Sequence, residues 1–420
     1  MPIRLYDNHI VQYVIYKKEC CIMIKRELSD KLAAAAKKYP VLTITGPRQS
    51  GKTTLARYVF KDYQYVSLEE PDNTKMARED PRGFLNQYAG DLIIDEAQKV
   101  SELFSYIQTI VDTQDRPGRF VLTGSHNFLL MENITQSLAG RCAIFHLLPL
   151  SKAELAGSAP LDIDHLDSLK ASSRKKNGGD LYEMLFAGFY PRIHDRHLEP
   201  QEWLQDYLIS YIERDVRLIS NIGVVETFQR FMGFCAARSG QILNIASLAS
   251  DCGITAVTAK KWLSILECSF IIKLLRPHYR NFSKRLIKSP KLYFTDTGLL
   301  CHLLKIRSSD DLQKSAMRGA IFETWVMGEF IKNYYNRHRE PDMFFWRDSN
   351  ANEVDLVISR GDELLPVGIK SSQTFSGNLI KELTFWRNLT GDPNHPGMLI
   401  YGGDKLLEFK GLTILPWTML

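Results

Sequence analysis

The sequence predicts an α/β protein whose first third is a parallel sheet with helical crossovers and whose C-terminal part is a second α/β domain. Two observations predict the first sheet: five short apolar segments alternate with helical patterns, and a glycine-rich loop joins the first segment to a helix. A helix, strand, hairpin and strand between residues 318 and 372 predict the second domain. The five segments cover residues 41–45, 64–68, 91–95, 119–124 and 142–148.

The composition is that of an ordinary folded protein. Of the 420 residues, 45% are hydrophobic and 24% are charged, and the net charge is only +5. This length allows two or three domains, and so mild a charge gives no sign of nucleic-acid binding by the whole surface. The seven cysteines show no metal-ligand spacing, and no apolar run approaches the ~20 residues of a membrane span. We therefore expect a cytoplasmic protein with reduced thiols and no membrane partner.

The glycine-rich loop lies in VLTITGPRQSGKTT, between an apolar strand and a helix. It matches the pattern G-x-x-x-x-G-K-S/T, whose backbone amides and helix N-terminus can surround phosphate groups. Lys52 is then expected to contact the outer phosphates and Thr53 to bind Mg²⁺. The alternative is a plain glycine turn between strand and helix. The candidate nucleotide-binding residues of the loop are Gly46, Pro47, Arg48, Gln49, Ser50, Gly51, Lys52, Thr53 and Thr54.

Three later segments add candidate catalytic residues. DLIIDEAQ is an apolar strand that ends in Asp95 and Glu96, which suit a magnesium ligand and the general base that orients water. RFVLTGS ends in Ser125, which can sense the terminal phosphate or form an ordinary turn. Arg141, just before the fifth strand, can act as an arginine finger toward a neighbouring subunit or as an ion-pair partner. These residues alone predict hydrolysis of ATP or GTP.

The same motifs occur together in a known family. GPRQSGKTT, LIIDEAQ, VLTGSHNFLL, SLAGR and LPLSKAEL, followed by AGFYPRI and YIERDVR, resemble the bacterial AAA-type P-loop ATPases that carry a C-terminal domain of unknown function. The resemblance covers the chain from Met23 onward. It implies adenine nucleotide as the ligand and an ATPase core, so the expected cofactors are ATP and Mg²⁺.

Residues 240–300 have the pattern of a winged-helix module. ILNIASLASDCGITAVTAKKWLSILE predicts two helices around a glycine-containing turn, and a strand and a basic hairpin follow. Basic residues outnumber acids here and aromatic residues lie among them, which is an electrostatic footprint for a phosphate backbone. A protein-interaction module with a solvated basic face is the alternative. The candidate DNA-binding residues are Lys260, Lys261, Arg280, Lys284 and Arg285.

The C-terminal pattern matches a restriction-endonuclease-like core, which the family resemblance also implies. Glu323 on the helix, Asp355 on the first strand and Lys370 on the second fill three positions of a magnesium-dependent nuclease site. The position two residues before the lysine, which needs a third acid, is Gly368. Glu353 is expected to point to the opposite face of its strand. The domain is therefore interpreted as a nuclease fold that no longer cuts.

Together these patterns predict an ATPase whose nucleotide cycle controls how its C-terminal modules hold duplex DNA or a protein partner. One alternative is a scaffold that uses ATP as a switch without nucleic acid, and another is an ATP-regulated nuclease; the oligomeric state is open. The expected division of the chain is a non-native or disordered extension over residues 1–22, a P-loop ATPase domain over 23–156, a flexible linker over 157–180, a helical connector over 181–239, a winged-helix module over 240–300 and a degenerate nuclease-like domain over 301–420.

Overall fold

A computed structural model describes residues 24–114, 116–125, 130, 133–134, 136–166, 179–211, 225–278 and 288–420. The expected extension over residues 1–22, the YIERDVR motif beyond Tyr211, and Arg280, Lys284 and Arg285 of the basic hairpin lie outside the described residues. Within the described ranges the chain forms a five-stranded sheet, a six-stranded sheet and a three-stranded sheet, with helices around them.

The first sheet is fully parallel and forms from the five segments that the sequence predicts. Its strands are β1 (Val41–Thr45), β2 (Gln64–Ser67), β3 (Leu92–Asp95), β4 (Phe120–Gly124) and β5 (Cys142–His146), in the order β2-β3-β4-β1-β5. This order places the carboxyl ends of β3, β4 and β1 side by side. The helices of this region are α1 (Ser29–Ala35), α2 (Lys52–Val59), α3 (Pro71–Glu79), α4 (Pro81–Asn86), α5 (Glu102–Gln114) and α6 (Lys152–Ala156), with a 3-10 turn over Ala97–Lys99.

Both faces of this sheet are buried, as the apolar runs of its strands require. Side chains alternate along each strand, so Val41 packs into one core while Leu42 and Ile44 pack into the other. Helices must therefore cover both faces, which is the usual arrangement of a parallel sheet with crossover connections.

A helical connector follows and joins the two halves of the molecule. Its helices are α7 (Leu181–Ala187), α8 (Pro191–Arg196), α9 (Pro200–Tyr211) and α10 (Val225–Ala236). Their apolar side chains share one core with the C-terminal half, and Leu161, Ile163 and Leu166 are buried in that core as well. The prediction of a flexible linker is therefore wrong for residues 157–166, because three buried apolar side chains among polar neighbours are enough to anchor the segment.

The next region contains the predicted pair of helices with a glycine turn. Asn244 and Thr255 cap α11 (Ile245–Cys252) and α12 (Ala256–Cys268) by accepting the backbone N–H groups of residues three positions ahead. Gly253 between them has φ +68°, a conformation that favours glycine. The antiparallel strands here are β6 (Gln241–Ile242), β7 (Ile272–Leu275) and β8 (Lys291–Phe294), in the order β6-β8-β7.

Two further helices return to the connector before the last sheet begins. They are α13 (Thr297–Leu303) and α14 (Ser309–Lys314), and both pack against α7. The expected boundary at residue 301 therefore passes through a packed group of helices, and the C-terminal sheet domain begins instead with α15 (Arg318–Asn336).

The last sheet is mixed, with α15 on one face and α16 (Lys381–Thr390) on the other. Strand β11 pairs antiparallel with β10 and parallel with β12. In the described part of the chain no helix is long and apolar enough to cross a lipid bilayer. The strands are β9 (Met343–Arg347), β10 (Glu353–Arg360), β11 (Glu363–Lys370), β12 (Met398–Tyr401), β13 (Leu407–Phe409) and β14 (Leu412–Pro416), in the order β13-β14-β12-β11-β10-β9, and 3-10 turns cover Gly377–Ile380 and Trp417–Met419.

Candidate functional site

The glycine-rich loop connects β1 to α2 at the carboxyl edge of the first sheet. Gly46 has no room for a side chain, because an added Cβ would lie 2.1 Å from the carbonyl oxygen of Leu147. Gly51, at φ +93°, immediately precedes α2. Lys52 folds back over the loop, and its Nζ donates to the carbonyl oxygens of Gly46 and Pro47 at 3.0 and 2.8 Å. The loop thus brings an ammonium group and a helix N-terminus to the same place.

Thr53 and Asp95, which come from α2 and β3, meet beside this loop. Thr53 Oγ1 donates to Asp95 Oδ1 at 2.9 Å. Thr123 of β4 also donates to Oδ1, and the hydroxyl of Tyr65 donates to Oδ2 at 3.0 Å. Burial and, after it, the charge of Asp95 raise the pKa of Tyr65 to about 12, so this phenol stays protonated as a donor. The carboxylate is therefore held in one orientation by three hydroxyl groups.

A hydroxyl and a carboxylate at this spacing fit Mg²⁺, which binds few protein oxygens and takes its remaining ligands from phosphate and water. The predicted pair Thr53 and Asp95 is the pair that the fold brings together. Among the described residues no group of three or more His, Cys, Asp or Glu side chains is suited to a metal. Thr53 Oγ1 and Asp95 Oδ1 would hold a magnesium ion here together with phosphate and water oxygens.

Glu96 stands next to this pair in an unusual backbone conformation. Its φ is +55°, a region that non-glycine residues seldom adopt and that is concentrated at functional sites. Gln98 Nε2 donates to Glu96 Oε2 at 2.6 Å, and Ser125 Oγ lies 3.3 Å from the same oxygen. Ser125, at the end of β4, thus contacts the candidate base. These contacts orient the carboxylate of Glu96 at the edge of the cleft above the loop.

That cleft has a volume of about 610 Å³. Besides the loop residues, three arginines from outside the sheet line it: Arg26, which precedes α1, and Arg192 and Arg196 of α8. Arg26 is buried, and its Nη1 donates to the carbonyl oxygen of Ser50 in the loop at 2.7 Å. Cationic groups that converge from three elements on a phosphate-type loop suit a polyphosphate ligand. The predicted residues that line the cleft are Arg48, Gln49, Gly51, Lys52, Thr53, Thr54, Asp95 and Glu96.

Arg141 does not join this site. It precedes β5, and because the sheet is parallel it lies at the edge opposite to the glycine-rich loop. Its guanidinium forms an exposed ion pair with Asp112 of α5, with Nη2 2.9 Å from Oδ2. The position of Arg141 is that of the ion-pair alternative, and its role as a finger toward a neighbouring subunit stays a prediction.

The family models that match this chain agree with the parallel sheet and glycine-rich loop described above. Residues 38–156 match the family model of an AAA domain. The chain carries an AAA domain. Residues 178–310 match a domain of unknown function (DUF8612), and residues 318–420 match another domain of unknown function (DUF4143). The predicted combination of an AAA-type P-loop ATPase fold with a C-terminal domain of unknown function is confirmed, and so is the prediction of a parallel sheet followed by a later α/β region, whose sheet is mixed.

Sequence similarity to other proteins extends along most of the chain. An uncharacterized protein of Mycobacterium tuberculosis is 28% identical over 380 residues, which cover 90% of this chain and 80% of that protein. An uncharacterized protein of Methanocaldococcus jannaschii is 24% identical over 399 residues, which cover 90% of this chain and 84% of that protein. Among solved structures, a Walker-type ATPase of Pyrococcus abyssi is similar with a TM-score of 0.43 and 15% identity, over 67% of this chain and 96% of that one.

Outside the AAA domain, the candidate nuclease residues lie in a cluster of carboxylates and lysines. Asp355 of β10 and Lys370 of β11 are paired, with Nζ 3.1 Å from Oδ2, and the backbone N–H of Ile369 donates to the same oxygen. Glu382 of α16, which sequence reasoning missed, lies 2.6 Å from Lys370 Nζ. Its Oε2 is 3.7 Å from the position that a Cβ on Gly368 would occupy. The carboxylate of Glu382, which comes from α16, therefore lies near the position at which β11 has Gly368 instead of an acid.

The second half of this cluster surrounds Lys291 of β8, which is 2% exposed. Its Nζ lies 3.1 Å from Glu323 and 2.5 Å from Glu353, and the hydroxyl of Tyr293 donates to Glu323 at 2.6 Å. The expectation that Glu353 points away is wrong, because strand residues two apart share a face and Glu353 is two residues before Asp355. Burial raises the pKa of Glu323.

Lysines therefore occupy the spaces between the candidate metal ligands. Each of the four acids has a lysine Nζ within hydrogen-bonding distance, either Lys291 or Lys370. A divalent cation would have to displace an ammonium group from a partly buried ion pair, so the residues present do not fit a nuclease metal site.

The described candidate DNA-binding residues are Lys260 and Lys261, and both are exposed on α12. Val257, one turn earlier, is 77% exposed, and Thr255 caps the helix. Sequence reasoning missed five residues at or beside the cleft, because their spacing along the chain matches no motif and only the fold brings them to the loop. They are Arg26, Tyr65, Gln98, Arg192 and Arg196.

Proposed function

We propose that this protein is an ATPase whose nucleotide state controls its C-terminal modules. The observation that carries the proposal is the contact between Thr53 and Asp95 at 2.9 Å, beside Lys52 and the oriented carboxylate of Glu96. Nucleotide binding without hydrolysis would need only the loop, with Gly46, Gly51 and Lys52. The added pair of acids at the end of β3 is what hydrolysis requires.

In the proposed reaction, the triphosphate lies along the loop with its outer phosphates against Lys52. Glu96 accepts the proton of the water that attacks the terminal phosphorus, and the bond to the β-phosphate oxygen breaks to leave ADP and phosphate. Mg²⁺, when bound, supplies positive charge that stabilises the phosphate oxygens. Gln98 and Ser125 restrict Glu96 to the rotamer that faces the cleft.

Control of the C-terminal half is supported by polar contacts between α15 and the AAA domain. Glu329 accepts the backbone N–H of Lys152 at 2.9 Å, and Lys332 Nζ donates to the carbonyl oxygen of Leu150 at 2.8 Å. The opposite end of the same helix carries Glu323. A rigid helix that contacts both regions can transmit a change at the loop to the last sheet.

Duplex DNA is the partner that the surface of α12 favours over a protein partner. The start of α12 presents exposed Val257 with Lys260 and Lys261, a combination that can contact a thymine methyl group and backbone phosphates. Because the lysines would release counterions, the affinity should fall steeply with added salt.

The test is steady-state ATP hydrolysis, with and without duplex DNA, for the wild type and Glu96→Gln. We expect turnover in the wild type, a loss of about 10²-fold or more in the variant, and stimulation by DNA. Turnover that Glu96→Gln leaves unchanged would contradict the proposed ATPase.

The proposed binding of DNA is tested by a separate pair of variants. Replacing both Lys260 and Lys261 with Ala should lower DNA stimulation and reduce the salt dependence, since two phosphate contacts are lost. The exposed pair Lys37 and Lys38, which follows α1, is the matched control, and its replacement with Ala should change neither. ATP turnover that does not change with added DNA at any salt concentration would favour the alternative, an ATP switch that binds a protein partner without nucleic acid.

A further inference from the structure

We infer that Glu154 of α6 positions the phosphate loop and links that loop to α15 of the C-terminal domain. The inference rests on the proposed function and adds to it a positioning residue and a route of regulation. Glu154 belongs to the motif LPLSKAEL, which covers residues 148–155 and which the proposed reaction does not otherwise use.

The carboxylate of Glu154 is buried and acts on the loop through another residue. Its side chain has no exposed surface, so it does not contact a nucleotide itself. Arg26 Nε donates to Glu154 Oε1 at 3.0 Å. The same guanidinium donates from Nη1 to the carbonyl oxygen of Ser50 in the loop and from Nη2 to that of Leu148, both at 2.7 Å. A planar guanidinium with three acceptors is fixed in position, so Glu154 holds Ser50 through Arg26.

A helix cap explains only half of the contacts that Glu154 makes. Its Oε2 accepts the N–H of Ser151 at 2.9 Å, and its own N–H donates to Ser151 Oγ at 3.0 Å, which is a capping box at the start of α6. Its Oε1 takes no part in the capping box. This oxygen accepts both Arg26 Nε and the N–H of Glu27 at 2.8 Å, so Glu154 also fixes the segment before α1.

Helix α15 is joined to this carboxylate through Glu27. Asn336 Nδ2 of α15 donates to Glu27 Oε2 at 3.3 Å, and Ser151 Oγ donates to Glu27 Oε1 at 3.0 Å. The Glu27 side chain therefore connects α15 to the start of α6, while its N–H shares Glu154 Oε1 with Arg26. A movement of α15 relative to the AAA domain must disturb these bonds.

The resulting path from α15 to the phosphate loop is short and largely buried. It runs through Asn336, Glu27, Glu154, Arg26 and Ser50. Buried polar groups cannot readily replace a lost partner with water, so a displaced member moves its neighbours or leaves a group unpaired. The C-terminal domain can thereby change the affinity of the loop for phosphate groups, and bound nucleotide acts on α15 with the same coupling free energy.

The first experiment measures binding of a non-hydrolysable ATP analogue and of ADP, with Mg²⁺, to the full chain by titration calorimetry. Glu154→Gln keeps the capping box but removes the charge that holds Arg26. We expect both nucleotides to bind about tenfold more weakly, the value of one charge-assisted hydrogen bond, because the loop surrounds the phosphates that ATP and ADP share. Glu79→Gln, at an exposed glutamate of α3, is the matched control. A purely structural role would lower the free energy of unfolding and leave the affinity of the folded protein unchanged.

The second experiment tests the link to α15 with a double-mutant cycle. Asn336→Ala should weaken binding of both nucleotides by about threefold. In the Glu154→Gln background the same change should have no further effect, because the path is already interrupted. Asn388→Ala, at an exposed position of α16, is the matched control and should leave binding unchanged.

Wild-type affinity in folded Glu154→Gln would overturn the inference, and losses that multiply in the double variant would overturn its link to α15. Lys52→Ala separates these results from failure of the proposed function. If the wild type binds both nucleotides and Lys52→Ala abolishes binding while Glu154→Gln binds normally, only the inference about Glu154 fails. If the wild type binds neither nucleotide, the proposed function fails as well. Should Glu154→Gln be unstable, Glu154→Asp repeats the test, and the same loss is expected because its side chain is too short to reach Arg26 and Ser151 together.

Discussion

The AAA cleft and the C-terminal cluster both collect acids and cations, but they arrange them in opposite ways. In the cleft, Arg192 faces about 610 Å³ of open space, and Asp95 is held by hydroxyl groups rather than by a cation. In the cluster, Lys291 and Lys370 lie directly between the acids. Charges kept apart around an open space can bind a ligand, whereas charges paired with each other mainly stabilise the fold. Similar residue types thus indicate function in one region and structure in the other.

The largest expected difference between the two regions is in nucleotide binding. Lys52→Ala should lower ATP affinity by about 10²-fold or more, since it removes the ammonium group that faces the phosphates. Lys370→Ala should leave ATP affinity unchanged, because Lys370 does not line the cleft and is paired with Asp355 and Glu382 of the C-terminal sheet domain. Titration calorimetry on both variants measures this. A similar loss in both would mean that the cluster affects the cleft and would remove the contrast.

The reverse contrast is expected for stability. Lys291→Met should reduce the free energy of unfolding by about 3–5 kcal/mol, because it leaves Glu323 and Glu353 without their buried cation. Lys52→Ala should cost about 1 kcal/mol, the value of ordinary hydrogen bonds to carbonyl oxygens. Chemical denaturation of both variants provides the measurement. If Lys291→Met were as stable as the wild type, the lysine would not hold the acids in place.

A smaller effect on the free energy of unfolding is expected from the ionisation of Glu27, which lies between the AAA domain and α15. Burial and, after it, the charge of Glu154 raise the pKa of Glu27 to about 7, above its usual value, although it accepts a hydrogen bond from Ser151 at 3.0 Å. The folded state therefore holds a proton that the unfolded chain has already lost, so stability falls as the pH rises from about 5 through 7.

Glu27→Gln tests this sign. The variant should be more stable than the wild type at pH 8 by roughly 1–2 kcal/mol, and this difference should shrink toward pH 5, where the wild-type carboxyl is protonated. Unfolding titrations at pH 5, 6, 7 and 8 measure it. A variant that is less stable than the wild type at pH 8 would show that the ionised carboxylate is favourable in the fold.

The next expected effect is close to zero. Arg141→Ala should leave ATP turnover nearly unchanged at any protein concentration, because the arginine lies away from the cleft and is paired with Asp112 at the surface. Turnover measured over a range of protein concentrations checks this. A loss of activity that grows as concentration rises would instead reveal a role for Arg141 in a neighbouring subunit's site.

The last prediction is an absence of activity. The protein should not nick plasmid DNA in Mg²⁺ or Mn²⁺, because the ammonium group of Lys291 or Lys370 already lies within hydrogen-bonding distance of each of the four acids. Agarose gels of supercoiled plasmid provide the measurement. Reproducible cleavage by the wild type that Lys370→Ala abolishes would show that Glu382 compensates for Gly368.

Much of the fold could be predicted, for identifiable reasons. The apolar runs of β1, β3 and β4 are long enough to mark a sheet buried on both faces, and the loop before α2 has a spacing tied to one backbone geometry. The linker prediction failed over residues 157–166 because Leu161, Ile163 and Leu166 lie among polar residues and are too few to mark a helix or strand. Glu382 was missed because its helix follows the strand pair by a loop whose path has no sequence signature.

By itself, the sequence determined the phosphate loop, the acids at the end of β3 and the positions of the first five strands along the chain, since each depends on local spacing along the chain. Only the tertiary structure decided that Arg192 reaches the cleft while Arg141 does not, and that lysines fill the C-terminal cluster. These outcomes depend on contacts between residues far apart in the chain, where burial and the pairing of charges are set by packing rather than by local pattern.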